Sequence, residues 1–384
     1  MTDEIEVDVV RPGELGGPEQ DLWTGFNARS GRRRSPYFCY AYTRAADEIV
    51  PGARVAILHR RGAIVGFLPF QARGAKLQPL AAPLTDYHGV IGAAETSFDV
   101  RRIGRRLGAT ALFFDGLCAD EHSPEHDMAV RPTMTADVSH GLEDYFAARP
   151  GARKFFKDKA RVGRNLERAY GAVSFCADDD DPALFSFVLG RKREQYRASG
   201  LHDIFACGWT ESFLHRLWEE RGPAFGARVS SLRAGGRIVA AALDLRGDGV
   251  HHVWFPAYSA EYARFGPGVQ LMHRLLRAVA EDPQVTTIDF GKNDLRYKSI
   301  YADPSAPVLE GRIITRPLAL ALARRADAVL NGAPVLKPVQ EVRERLRRRF
   351  DVITACETSP SAWMGGALTA FRRAALRRAA AAQA

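Results

Sequence analysis

The sequence carries a copy of itself, displaced by 174 residues. Residues 54–70 read RVAILHRRGAIVGFLPF and residues 228–244 read RVSSLRAGGRIVAAALD. Without a gap, Arg54 falls on Arg228, Val55 on Val229, Leu58 on Leu232, Gly62 on Gly236, and Ile64-Val65 on Ile238-Val239. The same displacement sets Asp115, near the end of the apolar run ATALFFDG, on Asp289 of VTTIDFG. Two matches in one register, well separated along the chain, point to duplication rather than chance. Two copies are too few for a solenoid. They fit two similar lobes packed together, with function where the second copy departs from the first.

A chain of 384 residues allows about two domains. Its 46% apolar and 26% charged residues suit a globular protein with a sizeable core. No apolar run is long enough for a membrane-spanning helix. The opening MTDEIEVDVV is acidic and alternating. It lacks the basic segment and apolar stretch of a secretory signal and reads as a first strand. Cys39, Cys118, Cys176, Cys207 and Cys356 are scattered without CxxC spacing. That pattern suits a reducing cytoplasm and argues against a disulfide framework or a zinc knuckle. The net charge of +9 is uneven, because residues 318–384 hold 12 Lys/Arg against 5 Asp/Glu. The near balance elsewhere argues against a nucleic-acid binder over the whole chain.

Periodicity and turn residues predict four parts: an N-terminal lobe at 1–135, a basic connector at 136–170, a C-terminal lobe at 171–317 and an amphipathic, arginine-rich helical tail at 318–384. The first lobe reads as a strand at 5–10, helices near 18–28 and 37–48, a hairpin of 54–59 with 63–71, a helix near 96–107 and a strand at 111–115. The connector predicts a helix over 153–169 with Phe155, Phe156, Val162 and Leu166 on its apolar side. Between 153 and 168 it holds seven Lys/Arg and two acids. That basic side is either a solvated face or a surface for an anionic substrate or RNA. In the second lobe, Asp181 caps a helix that begins at Pro182, and another helix lies near 210–221. An antiparallel meander of 228–233, 237–245 and 250–256 follows. A helix at 268–281 comes next, with Val269, Met272, Leu275, Leu276 and Val279 on one face, then strands at 285–290 and 308–315. The class is α/β (α+β), with mixed, largely antiparallel sheets flanked by helices. The tail helices either pack on the second lobe or touch anionic lipid.

Gly266-Pro267-Gly268 opens the helix at 268–281. Glycines at a helix start let an anion approach free backbone N–H groups, where the helix dipole also favours negative charge. The first copy has no such pair before its matching helix. Strand, loop, Phe265-Gly266-Pro267-Gly268, amphipathic helix, Asp289-Phe290-Gly291 and then Tyr297-Lys298 resembles the GNAT-type acyltransferases. More narrowly, the series resembles the CelD/BcsL-like group (the BioF2-like acetyltransferase domain), which is related to the FemAB peptidyltransferases, where two GNAT-like lobes are fused. The resemblance covers 150–315 and, more loosely, 1–135. The family's pyrophosphate loop, Q/R-x-x-G-x-G/A, is met at Gly266 and Gly268. Its first position is Ala263 here, with Arg264 one place late.

The resemblance implies acyl-CoA (acetyl-CoA) as co-substrate and no metal. Arg264, Phe265, Gly266, Pro267 and Gly268 would hold it, together with a splayed strand at 251–255 that includes Val253, Trp254 and Phe255. Near that strand, His252 is the candidate base, with Asp289 at the end of the next strand. Tyr297 would protonate the leaving thiolate, and Lys298 would hold an anionic substrate or the developing oxyanion. His252 alternates with Val250 and Trp254, which leaves a lining role open. Asp289 has its counterpart in Asp115, which leaves a turn-capping role open. Asp86, Tyr87 and His88, between two strands of the first lobe, are acceptor-binding candidates, as is Tyr258. His122 and His126 have metal-like spacing, but Pro124 between them favours a loop. The implied activity is direct acyl transfer to an amine or hydroxyl of a cell-envelope or exopolysaccharide precursor, in the cytoplasm or at the membrane surface. FemAB-like transfer from aminoacyl-tRNA and a catalytically silent membrane-surface scaffold are the alternatives.

Overall fold

The computed structural model describes residues 5–29, 34–118, 128–292, 297–316 and 349–358. Within it, alternation along the strands sends apolar side chains to both sides of a sheet. In β2 (Ala53–Arg60), Val55 and Ile57 enter one core, and Ala56 and Leu58 enter another. In β10 (Arg237–Gly247), Ala241, Leu243 and Leu245 join the first core, and Ala240 and Ala242 face away from it. Strands apolar on both faces need cover on both. Helices α1 (Gly17–Arg29), α2 (Tyr40–Ala45), α6 (Pro182–Ser199) and α7 (Gly208–Glu219) cover one face. Helices α3 (Val100–Arg106), α4 (Gly141–Ala148), α5 (Pro150–Tyr170) and α8 (Pro267–Ala280) cover the other. The class expected from sequence is therefore the one observed: a large mixed sheet flanked by helices.

The described strands form one 13-stranded sheet. Its order begins β1 (Glu6–Val10), β2, β3 (Ala63–Arg73), β4 (Lys76–Pro79) and β6 (Ala111–Cys118). Two central strands follow, β13 (Asp303–Ile314) and β7 (Ala129–Asp137). The order ends β12 (Thr287–Lys292), β11 (Val250–Tyr258), β10, β9 (Phe225–Ala234) and β8 (Val173–Cys176), while β5 (Ile91–Gly92) pairs with β3. The 174-residue displacement carries β2, β3 and β4 onto β9, β10 and β11, and α3 onto the second half of α8. It also carries β6 onto β12 and β7 onto β13, so the repeat in the sequence is a repeat of structure.

The central strands cross over. β7 follows β6 in the chain but pairs with β12, whereas β13 follows β12 but pairs with β6. The two also pair with each other, Thr133 against Ser305 and Arg131 against Val308. Positions 132 and 306, themselves 174 apart, thus lie at the centre of a local two-fold arrangement.

Several expectations shift at their edges. The connector helix starts at Pro150, where proline at the first position costs no hydrogen bond. The helix expected at 37–48 is a short turn, Pro36–Phe38, followed by α2. β4, β7, β8 and α4 escape the sequence reading; β4 and β8 are four residues each, and β7 contains Pro132. Of the tail, 349–356 is helical, while 318–348 and 359–384 lie outside the described residues, as do His122 and His126. Among the described residues no helix is long and apolar enough to cross a membrane.

The largest core joins the lobes. Phe213 of α7 is fully buried and meets Tyr42 of α2 edge-on at 5.2 Å. Phe213→Ala is expected to cost about 3–5 kcal/mol through lost transfer energy and the cavity left behind. The reading is a lower urea midpoint, shared by fluorescence from Trp23 in the first lobe and Trp218 in the second. Separate midpoints would mean that the lobes do not share this core energetically.

Candidate active site

β11 and β12 run parallel for three register pairs, Val250 with Thr287, His251 with Ile288 and His252 with Asp289. They then part. β11 stays with β10 as far as Tyr258, and β12 stays with β7. At the parting the β10 ladder slips, since Leu245 faces His252 but Leu243 faces Phe255. Such a bulge re-aims side chains and bends its strand. Beyond His252, the β12 side of β11 has no strand partner among the described residues.

The first copy has the same fork. β4 and β6 pair only through Lys76 with Ala111 and Leu77 with Leu112. There the chain's own next segment takes the vacant edge of β6. His88 bridges to Leu117, its N–H donating to Gly116 O at 2.9 Å and its carbonyl accepting from Cys118 N at 2.9 Å. Gly116 makes this approach feasible. Its φ is +118°, and a Cβ there would stand 1.9 Å from the Asp86 carbonyl oxygen. One fork is filled by the protein, and the filling segment presents Asp86 and Tyr87 to the other.

At the second fork His252 is fully buried. Its Nε2 is 3.2 Å from Asp86 Oδ2, and its Nδ1 is 3.7 Å from Asp289 Oδ2. Asp289 Oδ1 accepts from the Tyr87 hydroxyl at 2.8 Å and from the Gly291 N–H at 2.7 Å. Gly291 has φ +77°, and a Cβ there would come within 2.9 Å of Asp86 Oδ2 and 3.5 Å of His252 Cε1. Lys292 Nζ lies 2.8 Å from Asp115 Oδ1 and 3.5 Å from Asp86 Oδ1, and donates to the Asp115 carbonyl at 2.7 Å. Lys298 is buried, and its Nζ donates to the Lys292 carbonyl at 2.7 Å. The Tyr37 ring stands edge-on to His252 at 5.2 Å, and its buried hydroxyl has no hydrogen-bond partner among the described residues.

Burial alone would strip His252 of its proton, but Asp289 and Asp86 outweigh that penalty and hold its pKa up to about 9. Burial likewise opposes ionisation of Asp86, yet Lys292, His252 and Lys298 keep its carboxyl well below the usual range. Burial also works against Lys292, and Asp115 and Asp86 prevail in raising it. Lys298 is lowered, chiefly by burial. At neutral pH His252 is therefore an imidazolium, set between Asp86 and Asp289, with Lys292 ion-paired to Asp86 beside it.

The helix start forms a second locus. Gly266 takes a left-handed conformation at φ +58°, Pro267 opens α8, and no side chain caps the turn. A Cβ on Gly268 would meet only Tyr258, at 3.7 Å. Arg264 lies over the Phe265 ring at 4.7 Å with its own side chain exposed. Helix α5 runs alongside, where Gln270 Nε2 donates to the Lys159 carbonyl at 2.8 Å. Val253 and Phe255 are buried, and Trp254 Nε1 donates to Leu84 O at 3.0 Å. These three side chains pack, and the Trp254 backbone N–H donates to Asp244 Oδ1 at 3.3 Å.

The fold thus brings Asp86, Tyr87, His252, Asp289 and Lys298 into one cluster, with His88 bridging beside it; burial pushes His88 down to about 4. Arg264, Phe265, Gly266, Pro267, Gly268 and Tyr258 gather at the helix start. Tyr297 is 50% exposed and outside the cluster. Sequence reasoning passes over Lys292, although it directly follows Asp289-Phe290-Gly291. It reads Asp115 only as a counterpart of Asp289, and Tyr37 has no local signal.

Residues 153–299 match the family model of an acetyltransferase (GNAT) domain. The GNAT-type segment takes in His252, Gly266, Gly268, Asp289, Lys292 and Lys298, and leaves Asp86, Tyr87 and Asp115 to the first lobe. The fold of lobe two is a GNAT-type acyltransferase fold. A search of curated proteins finds no match. Among solved structures, the chain is similar to FemX at 14% identity and TM-score 0.49, over 82% of this chain and 99% of that one. It is similar to a tandem GNAT protein from the clavulanic acid biosynthesis pathway at 10% identity and TM-score 0.47, over 82% and 99%. It is also similar to L-PGS from Bacillus licheniformis at 12% identity and TM-score 0.41, over 81% and 96%. Identities this low leave those proteins' activities their own.

Proposed function

We propose that this protein is an acyl-CoA-dependent acyltransferase that acylates an amine or hydroxyl of an anionic saccharide precursor. The observation that carries the reading is the parting of β11 from β12 after His252 and Asp289, together with an uncapped glycine turn at the start of α8, in a chain whose first fork is filled by itself. The turn fits a pyrophosphate: Gly268 presents backbone with only Tyr258 nearby, and Arg264 supplies an exposed charge. Acyl-CoA supplies an electrophilic thioester carbonyl. The acceptor attacks that carbon, the carbon–sulfur bond breaks, and the thiol leaves.

The neutral fraction of His252 takes up the acceptor's proton through Asp86, which faces its Nε2 and is partly exposed, while Asp289 faces the other ring nitrogen. Lys298 faces the same space and serves the developing negative charge. Tyr297, whose pKa is raised by burial of part of its ring, keeps its proton for the leaving thiolate. Exposed Arg153, Lys154, Lys157, Arg161, Arg164 and Arg168 on α5 favour an anionic acceptor. The same face is what a charged-tRNA donor would need, as the FemAB resemblance implies. That donor predicts steep salt dependence of RNA binding.

Thermal unfolding with acetyl-CoA tests the reading. A ligand at 100 times its Kd adds about 2.7 kcal/mol to stability. The wild type should show that saturable gain. Gly268→Trp, whose Cβ would meet only the Tyr258 side chain, should fold and show none. A folded wild type indifferent to acetyl-CoA and CoA would remove acyl-CoA from the mechanism.

A further inference from the structure

On the far side of the splayed strand, three donor atoms from distant parts of the chain converge, with a carboxylate beside two of them. They belong to His202 in the turn after α6, Cys207 at the cap of α7, and Cys356 and Glu357 at the end of the 349–356 helix. His202 Nε2, Cys207 Sγ and Cys356 Sγ all lie within 4.8 Å of one another. Cys207 Sγ is 3.7 Å from His202 Nε2 and 3.4 Å from Glu357 Oε1, and Glu357 Oε1 is 3.2 Å from His202 Nε2. Zinc bonds sulfur at about 2.3 Å and nitrogen or oxygen at about 2.0–2.1 Å, so a tetrahedral set holds its donors roughly 3.3–3.8 Å apart. Three of the observed separations already fall near that range.

The surroundings fix these donors. Trp209 Nε1 donates to the Cys356 carbonyl at 2.9 Å, and Arg73 Nη2 to the Ala355 carbonyl at 2.8 Å. Thr210 Oγ1 sits 2.6 Å from the Cys207 carbonyl. Both cysteines are buried. Two thiolates and a carboxylate around a dication leave one negative charge, and the neighbouring Arg73 guanidinium offsets it. A disulfide between Cys207 and Cys356 would use neither His202 nor Glu357. A metal uses all four.

We propose that His202, Cys207, Cys356 and Glu357 bind a zinc ion that fastens the 349–358 segment to lobe two. Binding of the metal displaces the thiol protons of both cysteines. The clasp also steadies the wall of the fork. Phe205, in the turn between His202 and Cys207, packs on Phe255 of β11 at 5.3 Å between ring centres.

The test uses the full chain, expressed with zinc and purified under reducing conditions without chelator. Elemental analysis should find about one zinc per chain. Cys207→Ser and Cys356→Ser should each retain less than a tenth of it. Cobalt added to the metal-stripped wild type should give the sulfur-to-cobalt absorption band of thiolate ligation, a readout that needs no variant to fold. A folded, reduced wild type that takes up neither zinc nor cobalt would overturn the proposal. So would wild-type zinc content in the double serine variant, or an intact mass showing a Cys207–Cys356 disulfide in freshly purified protein.

Discussion

Replacing His252 with glutamine is expected to lower turnover by about 10²–10⁴-fold, the span of a lost acid–base group. The wild-type rate should climb about tenfold per pH unit and level off near pH 9, because burial and its two opposing carboxylates leave the proton-accepting imidazole scarce below that point. The variant's profile should be flat over the same range. The same shift bears on stability, with a definite sign. The folded state holds this proton more tightly than the unfolded chain, whose imidazole titrates near 6.5. The stabilisation is complete below that value and fades as pH rises through about 9. Its size is roughly 3 kcal/mol. The wild-type Tm should therefore fall between these pH values more than that of His252→Gln. A rate that stays level while the wild-type Tm falls would make His252 a buried counter-ion and not a base.

Gly116→Ala should be the most damaging single-methyl change in the first lobe. Its φ of +118° strains any other residue, and the new methyl would stand 1.9 Å from the Asp86 backbone oxygen. Backbone cannot rotate aside as a side chain does. Strain and overpacking together should cost about 3–5 kcal/mol. Gly62→Ala is the control: its φ is +79°, but nothing lies within 4 Å of the added atom. There the loss should be about 1 kcal/mol. Equal urea midpoints for the two variants would mean that the close crossing at Gly116 contributes nothing. If the larger loss appears, the surviving folded fraction should also lose the alkaline rate limb, since Asp86 is displaced from His252.

The duplication is legible because both copies repeat the same apolar alternation around a glycine turn, and a sheet buried on both faces demands that pattern twice. Helix α8 is legible for the same reason, through the face shared by Met272, Leu275, Leu276 and Val279. Asp86 and His252 each attract notice in the sequence, but their pairing does not. It depends on a lobe-one segment with no periodicity entering its own fork and delivering Asp86 to the next one. Lys292 sits beside a recognised motif, yet its role needs Asp115, which only the sheet brings near. β7 is hidden by Pro132, since a proline in a central strand reads as a break. Cys207 and Cys356 share no spacing signature, because their meeting depends on the C-terminal segment folding back.

The exchanged strands β7 and β13 decide what the chain can do without. Cut between its lobes, the first half would keep β7 but lose both of that strand's neighbours, β12 and β13, and would leave one edge of β6 bare. The second half would keep β13 and lose both of its partners, β6 and β7. Each fragment keeps a run of five paired strands but ends in an open edge, and each half's bare edge matches the strand held by the other. Two separately made halves should therefore find each other and restore one sheet, whereas either half alone should aggregate through its open edge.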